Sequence, residues 1–185
     1  MYIALGANLP SASGTPQRTL ENALLFLEAE TIHVVRASPW YRNPAYPPGS
    51  GPDFVNGVVR AETALGAEAV LAALHRVEAR LGRQRAQRWA PRAIDLDLLA
   101  WNDAVQPDRT TLARLMALGP ARAKAEPPPG GLVLPHPRLQ ERAFVLVPLA
   151  AIEPDWRHPV TGQGVAEMLA ALPREDVAAM VPIEA

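Results

Sequence analysis

Ile94-Asp95-Leu96-Asp97-Leu98-Leu99-Ala100-Trp101 alternates apolar and acidic residues at its start and turns wholly apolar at its end. Residues two apart in a strand share a face. The spacing therefore predicts a strand over 94–101, with Ile94, Leu96 and Leu98 on the core and both carboxylates on the opposite side. Working back, the segment 83–92 has no helical periodicity and contains Pro91, so it reads as a loop. Ala67 to Leu81 places Val70, Leu74, Val77 and Leu81 on one helical stripe, and Gly82 stops it. Phe54 to Glu62 and the β-branched Thr31 to Ala37 read as strands. Between them, 38–52 is too rich in proline and glycine for much regular structure. Thr15-Pro16 is a cap and first-turn pair opening a helix to about Ala29. Tyr2 to Leu5 is a short strand ending at Gly6.

The order strand, helix, strand, strand, helix, strand predicts an α+β fold: a ferredoxin-like antiparallel sheet with helices on one face. Long catalytic loops and a C-terminal extension elaborate it and can cover the other face. Beyond Trp101, residues 103–131 read as an insertion in a single domain spanning 1–185. Leu112 to Leu118 suits one or two helical turns, and Pro127-Pro128-Pro129-Gly130-Gly131 suits none. A short helix near Leu139 to Ala143, an apolar run from Phe144 to Ile152, a helix from Gly164 to Leu172 and a final extended segment complete the chain.

The chain has 185 residues, a formal net charge of -1 and no cysteine. Disulfides, thiolate metal sites and cysteine nucleophiles are excluded. The charge balance opposes a general nucleic-acid binder. No apolar run reaches the ~18 residues a membrane span needs, and the N-terminus lacks a basic, apolar leader. A cytoplasmic location with no membrane partner is expected, as a monomer or weak dimer. The local charge is uneven: six arginines and one acid, Glu78, lie between Arg76 and Arg92, just before the two aspartates.

Alone, an Asp-x-Asp pair is more often a solvent-facing pair on an edge strand, and an arginine loop is often only solvated. Together they suggest more. Mg2+ prefers one or two carboxylates plus substrate phosphates. Guanidinium groups grip phosphate oxygens bidentately, and phosphoryl-type transfer depends on such positioning and charge neutralisation. His75 and Glu78 are three apart on the second helix and read equally as a ligand contact or a surface pair. His136, locked between Pro135 and Pro137, could meet a phosphate alongside Arg138 and Arg142. Asn56, in an apolar strand beside Phe54, either satisfies backbone or reads a polar ligand edge. Residue chemistry alone reaches a metal-ATP enzyme. A two-metal nucleotidyl or phosphoryl transferase shares that half. An RNA-binding module of the same fold predicts exposed aromatics in a basic strand motif, which the sequence lacks.

Five stretches, in order over nearly the whole chain, carry a resemblance: Ile3-Ala4-Leu5-Gly6-Ala7-Asn8-Leu9, Tyr41-Arg42-Asn43-Pro44, Pro52-Asp53-Phe54-Val55-Asn56, Glu78 through Asp97, and Leu134-Pro135-His136-Pro137-Arg138 with Arg142 and Phe144. The sequence resembles the 6-hydroxymethyl-7,8-dihydropterin pyrophosphokinase family. The resemblance implies transfer of pyrophosphate from ATP to the pterin hydroxymethyl group in folate biosynthesis, with release of AMP. It implies two Mg2+ ions on Asp95 and Asp97, and catalytic roles for those residues with Arg83 and Arg92. ATP would also meet His75, Glu78, Arg85, Trp89, Leu98, Val133, His136 and Arg142. The pterin would meet Asn43, Pro44, Tyr46, Phe54, Asn56, Trp89 and Phe144, stacked between Phe144 and Tyr46. The loops 43–52 and 83–92 would close over both substrates. The sequence departs from the family pattern at Ala7, Asn43, Tyr46 and Ala90.

Overall fold

Strand β1 (Tyr2–Ala7) lies inside the sheet, paired antiparallel with β4 (Phe54–Glu62) on one side and β5 (Asp95–Ala100) on the other. β4 carries two further antiparallel partners along its other edge: β2 (His33–Ala37) beside residues 59–62, and β3 (Tyr41–Asn43) beside residues 54–56. A two-residue strand, β6 (Val181–Pro182), adds to β3. The path is β5-β1-β4-β3-β6, with β2 also on β4. The computed structural model describes residues 1–45, 49, 51–83, 93–118 and 131–184. The architecture is α+β with an antiparallel sheet.

One face of the sheet carries α1 (Pro16–Ala29) and α2 (Ala67–Arg80). Ile3, Leu5 and Ala7 of β1, Val55 and Val59 of β4, and Leu96 and Leu98 of β5 join Leu20, Leu27, Leu74 and Val77 in one buried cluster. The strand period of two and the helical period of 3.6 meet there. Thr15 caps α1, its hydroxyl accepting from the Arg18 N–H at 3.2 Å. The helix ends on Thr31, whose φ of +61° takes the left-handed cap position. That turn uses Thr31 and Ile32 to close the helix end, so β2 begins at His33 and not at Thr31.

The opposite face is covered at one end by α4 (Ala143–Ile152), reached through a 3₁₀ turn at Leu139–Glu141, and by α5 (Val165–Ala171). Ala4, Val58 and Leu99 pack there with Val145, Leu146, Leu149, Ile152 and Met168. The C-terminal third thus supplies cover the sheet needs. It includes α6 (Arg174–Ala178) as well as β6, where a single extended segment is expected from sequence. Trp156 closes the far end, edge-on to Tyr2 and to His158. His158 is fully buried, its Nδ1 accepting from the Val160 and Thr161 N–H groups, and burial pushes its pKa down to about 4.

Two further elements differ from expectation. The proline-rich segment 38–52 contains β3, because β4 offers it an open edge. The helix within 103–131 is α3 (Arg109–Met116), starting earlier than Leu112 because Asp108 caps it through the Thr111 N–H at 2.9 Å. Residues 119–130 lie outside the described residues.

Candidate active site

The face that carries α4 is covered only in part, and strand parity decides what the uncovered part contains. On β5 the residues pointing that way are Asp95, Asp97 and Leu99; on β4 they are Phe54, Asn56 and Val58. Leu99 and Val58 are fully buried beneath the helices, whereas the Asp97 and Asp95 side chains remain partly exposed. The register aligns Asp95, Gly6 and Asn56 in one row across three strands, and Asp97, Ala4 and Val58 in the next. Two strand spacings set the acidic and amide ends of the row ~10 Å apart.

Gly6 sits between those ends inside β1 rather than terminating it. A Cβ there would lie 2.7 Å from the Asn56 Oδ1. Lacking one, Gly6 lets the Asn56 amide lie across the β1 backbone beside the open end of the sheet face. Asn56 is 5% exposed and donates through Nδ2 to Asn43 Oδ1 at 2.6 Å. Asn43 in turn donates to the Pro44 carbonyl at 3.0 Å. The amide orientation is therefore set by a chain of partners from β3.

At the acidic end each aspartate faces its own arginine. Arg83 lies 2.8 Å from Asp95 Oδ1 and also pairs with Glu78; Arg142 lies 3.4 Å from Asp97 Oδ2. The His136 Nε2 is 4.0 Å from the same Asp97 oxygen. His136 is held by its own backbone, whose N–H donates to the Leu99 carbonyl on the β5 edge at 2.7 Å. Its Nδ1 accepts the Arg138 N–H at 3.1 Å, which leaves Nε2 carrying the proton of the neutral ring. Burial, then Arg142 and Arg138, push its pKa down to about 3. With Nδ1 occupied, the neutral ring presents an Nε2–H donor toward Asp97. Burial also pulls the Arg142 pKa down, against the opposing pull of Asp97.

Two aromatics border this cleft. Phe54 shares the face of Asn56, and Phe144 at the start of α4 is partly exposed, with the Arg142 guanidinium 5.5 Å from its ring centroid. The structure therefore brings together Asp95, Asp97, Arg83, His136, Arg142 and Phe144 around the open end, with Asn43, Asn56 and Phe54 across Gly6; Pro44 follows β3 and is exposed. Leu98 points to the helix-side core and is 4% exposed, on the face away from the carboxylates. His75 is exposed on α2, and Val133 is half-buried on the segment beside β5. Glu78 is 1% exposed, turned toward β5. Tyr46, Arg85, Trp89 and Arg92 lie outside the described residues. Ala7 is fully buried on the helix side, so that departure from the family pattern does not reach the cleft.

The model of the 7,8-dihydro-6-hydroxymethylpterin-pyrophosphokinase family matches residues 2–154. The chain belongs to that family. A family relative, the 2-amino-4-hydroxy-6-hydroxymethyldihydropteridine pyrophosphokinase of Pseudomonas aeruginosa, is 35% identical over 96% of this chain and 94% of its own length. That of Synechocystis sp. is 34% identical over 90% of this chain and 73% of its own. Among solved structures, a Plasmodium falciparum HPPK-DHPS chain matches the family fold with a TM-score of 0.61 over 91% of this chain, at 14% identity. This chain spans 43% of that longer protein, and the likeness concerns fold alone.

Gly6 and the Glu78 to Arg83 contact escaped the sequence reading. The first had a usable signal, since a glycine within a period-two strand pattern marks a close approach. The second joins a helix to a distant strand and has no local signature.

Proposed function

We propose that the open end of this sheet face is where the protein, as an ATP-dependent pyrophosphokinase of folate synthesis, passes pyrophosphate from ATP to the hydroxymethyl group of 6-hydroxymethyl-7,8-dihydropterin. The activity is that of the family and of its curated relatives. The assignment of residues rests on one observation: Asp95 and Asp97 share a sheet face with Asn56, and only the side-chain-free Gly6 stands between Asp95 and Asn56 in their row.

The donor set fits Mg2+. Two hard carboxylates stand adjacent, and among the described residues no cluster of three or more acidic, histidine or cysteine side chains forms a metal cage. That suits an ion completed by phosphate oxygens and water. Two Mg2+ ions bound by Asp95 and Asp97 with the triphosphate would neutralise its charge and acidify the attacking hydroxyl.

The chain's own groups do the rest. Arg83 and Arg142 take phosphate oxygens when the aspartates take metal, and His136 donates through Nε2 to a third. Arg85 and Arg92 add positive charge for the phosphates, and Trp89 serves both the ATP and the pterin sites. Asn56, oriented by Asn43, reads the amide-like edge of the pterin. Phe144 stacks on one face, with Phe54 or Tyr46 on the other. Adenosine lies along the β5 edge near His75 and Val133. A bond forms from the pterin oxygen to the β-phosphorus as the hydroxyl proton passes to solvent, and the bond from the β-phosphorus to the α/β bridging oxygen breaks, so AMP leaves with that oxygen.

We place this work in the cytoplasm, by a monomer or weak dimer that forms one domain with residues 103–131 as an insertion. Among the described residues no helix is long and apolar enough to cross a membrane.

The test is the nucleotide product. Protein with Mg-ATP and the hydroxymethyl-dihydropterin should release AMP equimolar with the pterin diphosphate. ADP, or nucleotide release independent of the pterin, would refute the assignment.

A further inference from the structure

Helix α2 ends in a way that aims Arg83. Gly82, at φ +88°, follows the C-cap residue Leu81. The Gly82 N–H donates to the Ala79 carbonyl at 3.2 Å and the Arg83 N–H to the Glu78 carbonyl at 3.0 Å. This is a Schellman turn, in which residues in the positions of Glu78 and Arg83 usually make an apolar contact. Here they make an ion pair instead. The same Glu78 oxygen that meets Arg83 also accepts the Leu96 N–H of β5 at 2.8 Å. Its other oxygen is buried with no hydrogen-bond partner among the described residues.

Glu78 thus touches three elements at once: its own helix, the first residue of the loop and the strand that carries both aspartates. A carboxylate so deeply buried needs a fixed cation, and Arg83 is that cation. The consequence runs the other way too. Arg83, tied to Glu78 through backbone and side chain, is left facing Asp95 at 2.8 Å.

We propose that Glu78 is a positioning residue that holds the Arg83 guanidinium beside Asp95, poised to exchange that carboxylate for a phosphate oxygen of ATP. The proposal rests on the reading of Arg83 and Asp95 as ATP and metal groups. Without the Glu78 charge, Arg83 loses one of its anions and bears more fully on Asp95, so it meets phosphate less readily.

Glu78→Gln retains an oxygen for the Leu96 N–H and removes only the charge. The experiment is a double-mutant cycle with Arg83→Ala, read as calorimetric affinity for a non-hydrolysable ATP analogue with Mg2+, alongside KM for ATP, KM for pterin and melting temperature. Glu78→Gln should weaken analogue binding roughly tenfold and raise KM for ATP to match, with KM for pterin unchanged. In the Arg83→Ala background it should add less than about twofold. Equal losses in both backgrounds, or a lower melting temperature with KM unmoved, would overturn the proposal. If Arg83→Ala weakens the analogue and Glu78→Gln does not, the Glu78 role alone fails. If Arg83→Ala has no effect, the ATP reading of Arg83 fails with it. Should Glu78→Gln not fold, Glu78→Asp shortens the reach while keeping the charge. It should raise KM for ATP, and an unchanged KM overturns the proposal.

Discussion

Leu99 and Asp97 lie two residues apart on the same face of the same strand, yet one is fully buried and the other partly exposed. The difference is not in β5 but in what lies above it. Leu146, Leu149 and Met168 cover the Leu99 end, and at the Asp97 end the cover stops at Arg142, where α4 begins. Strand β4, on the far side of β1, repeats the pattern, with Val58 under the helices and Asn56 beside the opening. One sheet face is thus half core and half cleft. The core half holds the strands in register, and the register lines up Asp95, Gly6 and Asn56.

That contrast can be broken from either half. The largest effect is expected at the acidic end: Asp97→Ala should lower turnover by roughly 10³-fold, about 4 kcal/mol, while calorimetric pterin affinity stays within twofold. Near-normal turnover would remove Asp97 from the reaction. Next, Leu99→Ala should cost about 3 kcal/mol in urea unfolding through the cavity it leaves, with less than a tenfold change in turnover per folded molecule. A loss of stability below about 1 kcal/mol would mean that α4 does not clamp this half. The smallest effect falls at the amide end. Asn56→Ala should weaken pterin binding ~10- to 30-fold, about 1.5–2 kcal/mol, and leave affinity for an ATP analogue unchanged. A matching loss of ATP affinity would show that the two ends do not act separately.

The two halves also differ in how far the sequence alone exposes them. The Asp95 and Asp97 face follows from the period of two in 94–98, a purely local pattern. So does α2, whose stripe and Gly82 stop are local signals. The cover over Leu99 is harder to read: 144–152 is apolar on every side and contains Pro148, so no helical stripe separates α4 from a buried strand. β3 is hidden for a different reason, since three residues in a proline-rich stretch become a strand only because β4 offers an edge. Glu78 shows the same limit at the site. Its spacing from His75 reads equally as a ligand contact or a surface pair, and only the tertiary approach of Leu96 and Arg83 turns its carboxylate inward.

The most direct test is a crystal structure of the protein with Mg2+, a non-hydrolysable ATP analogue and the hydroxymethyl-dihydropterin. Metal density should lie against both Asp95 and Asp97, with Arg83 turned from Asp95 to a phosphate, and the pterin edge should meet Asn56 across Gly6. Metal on other residues, or a pterin bound away from Asn56, would contradict the account.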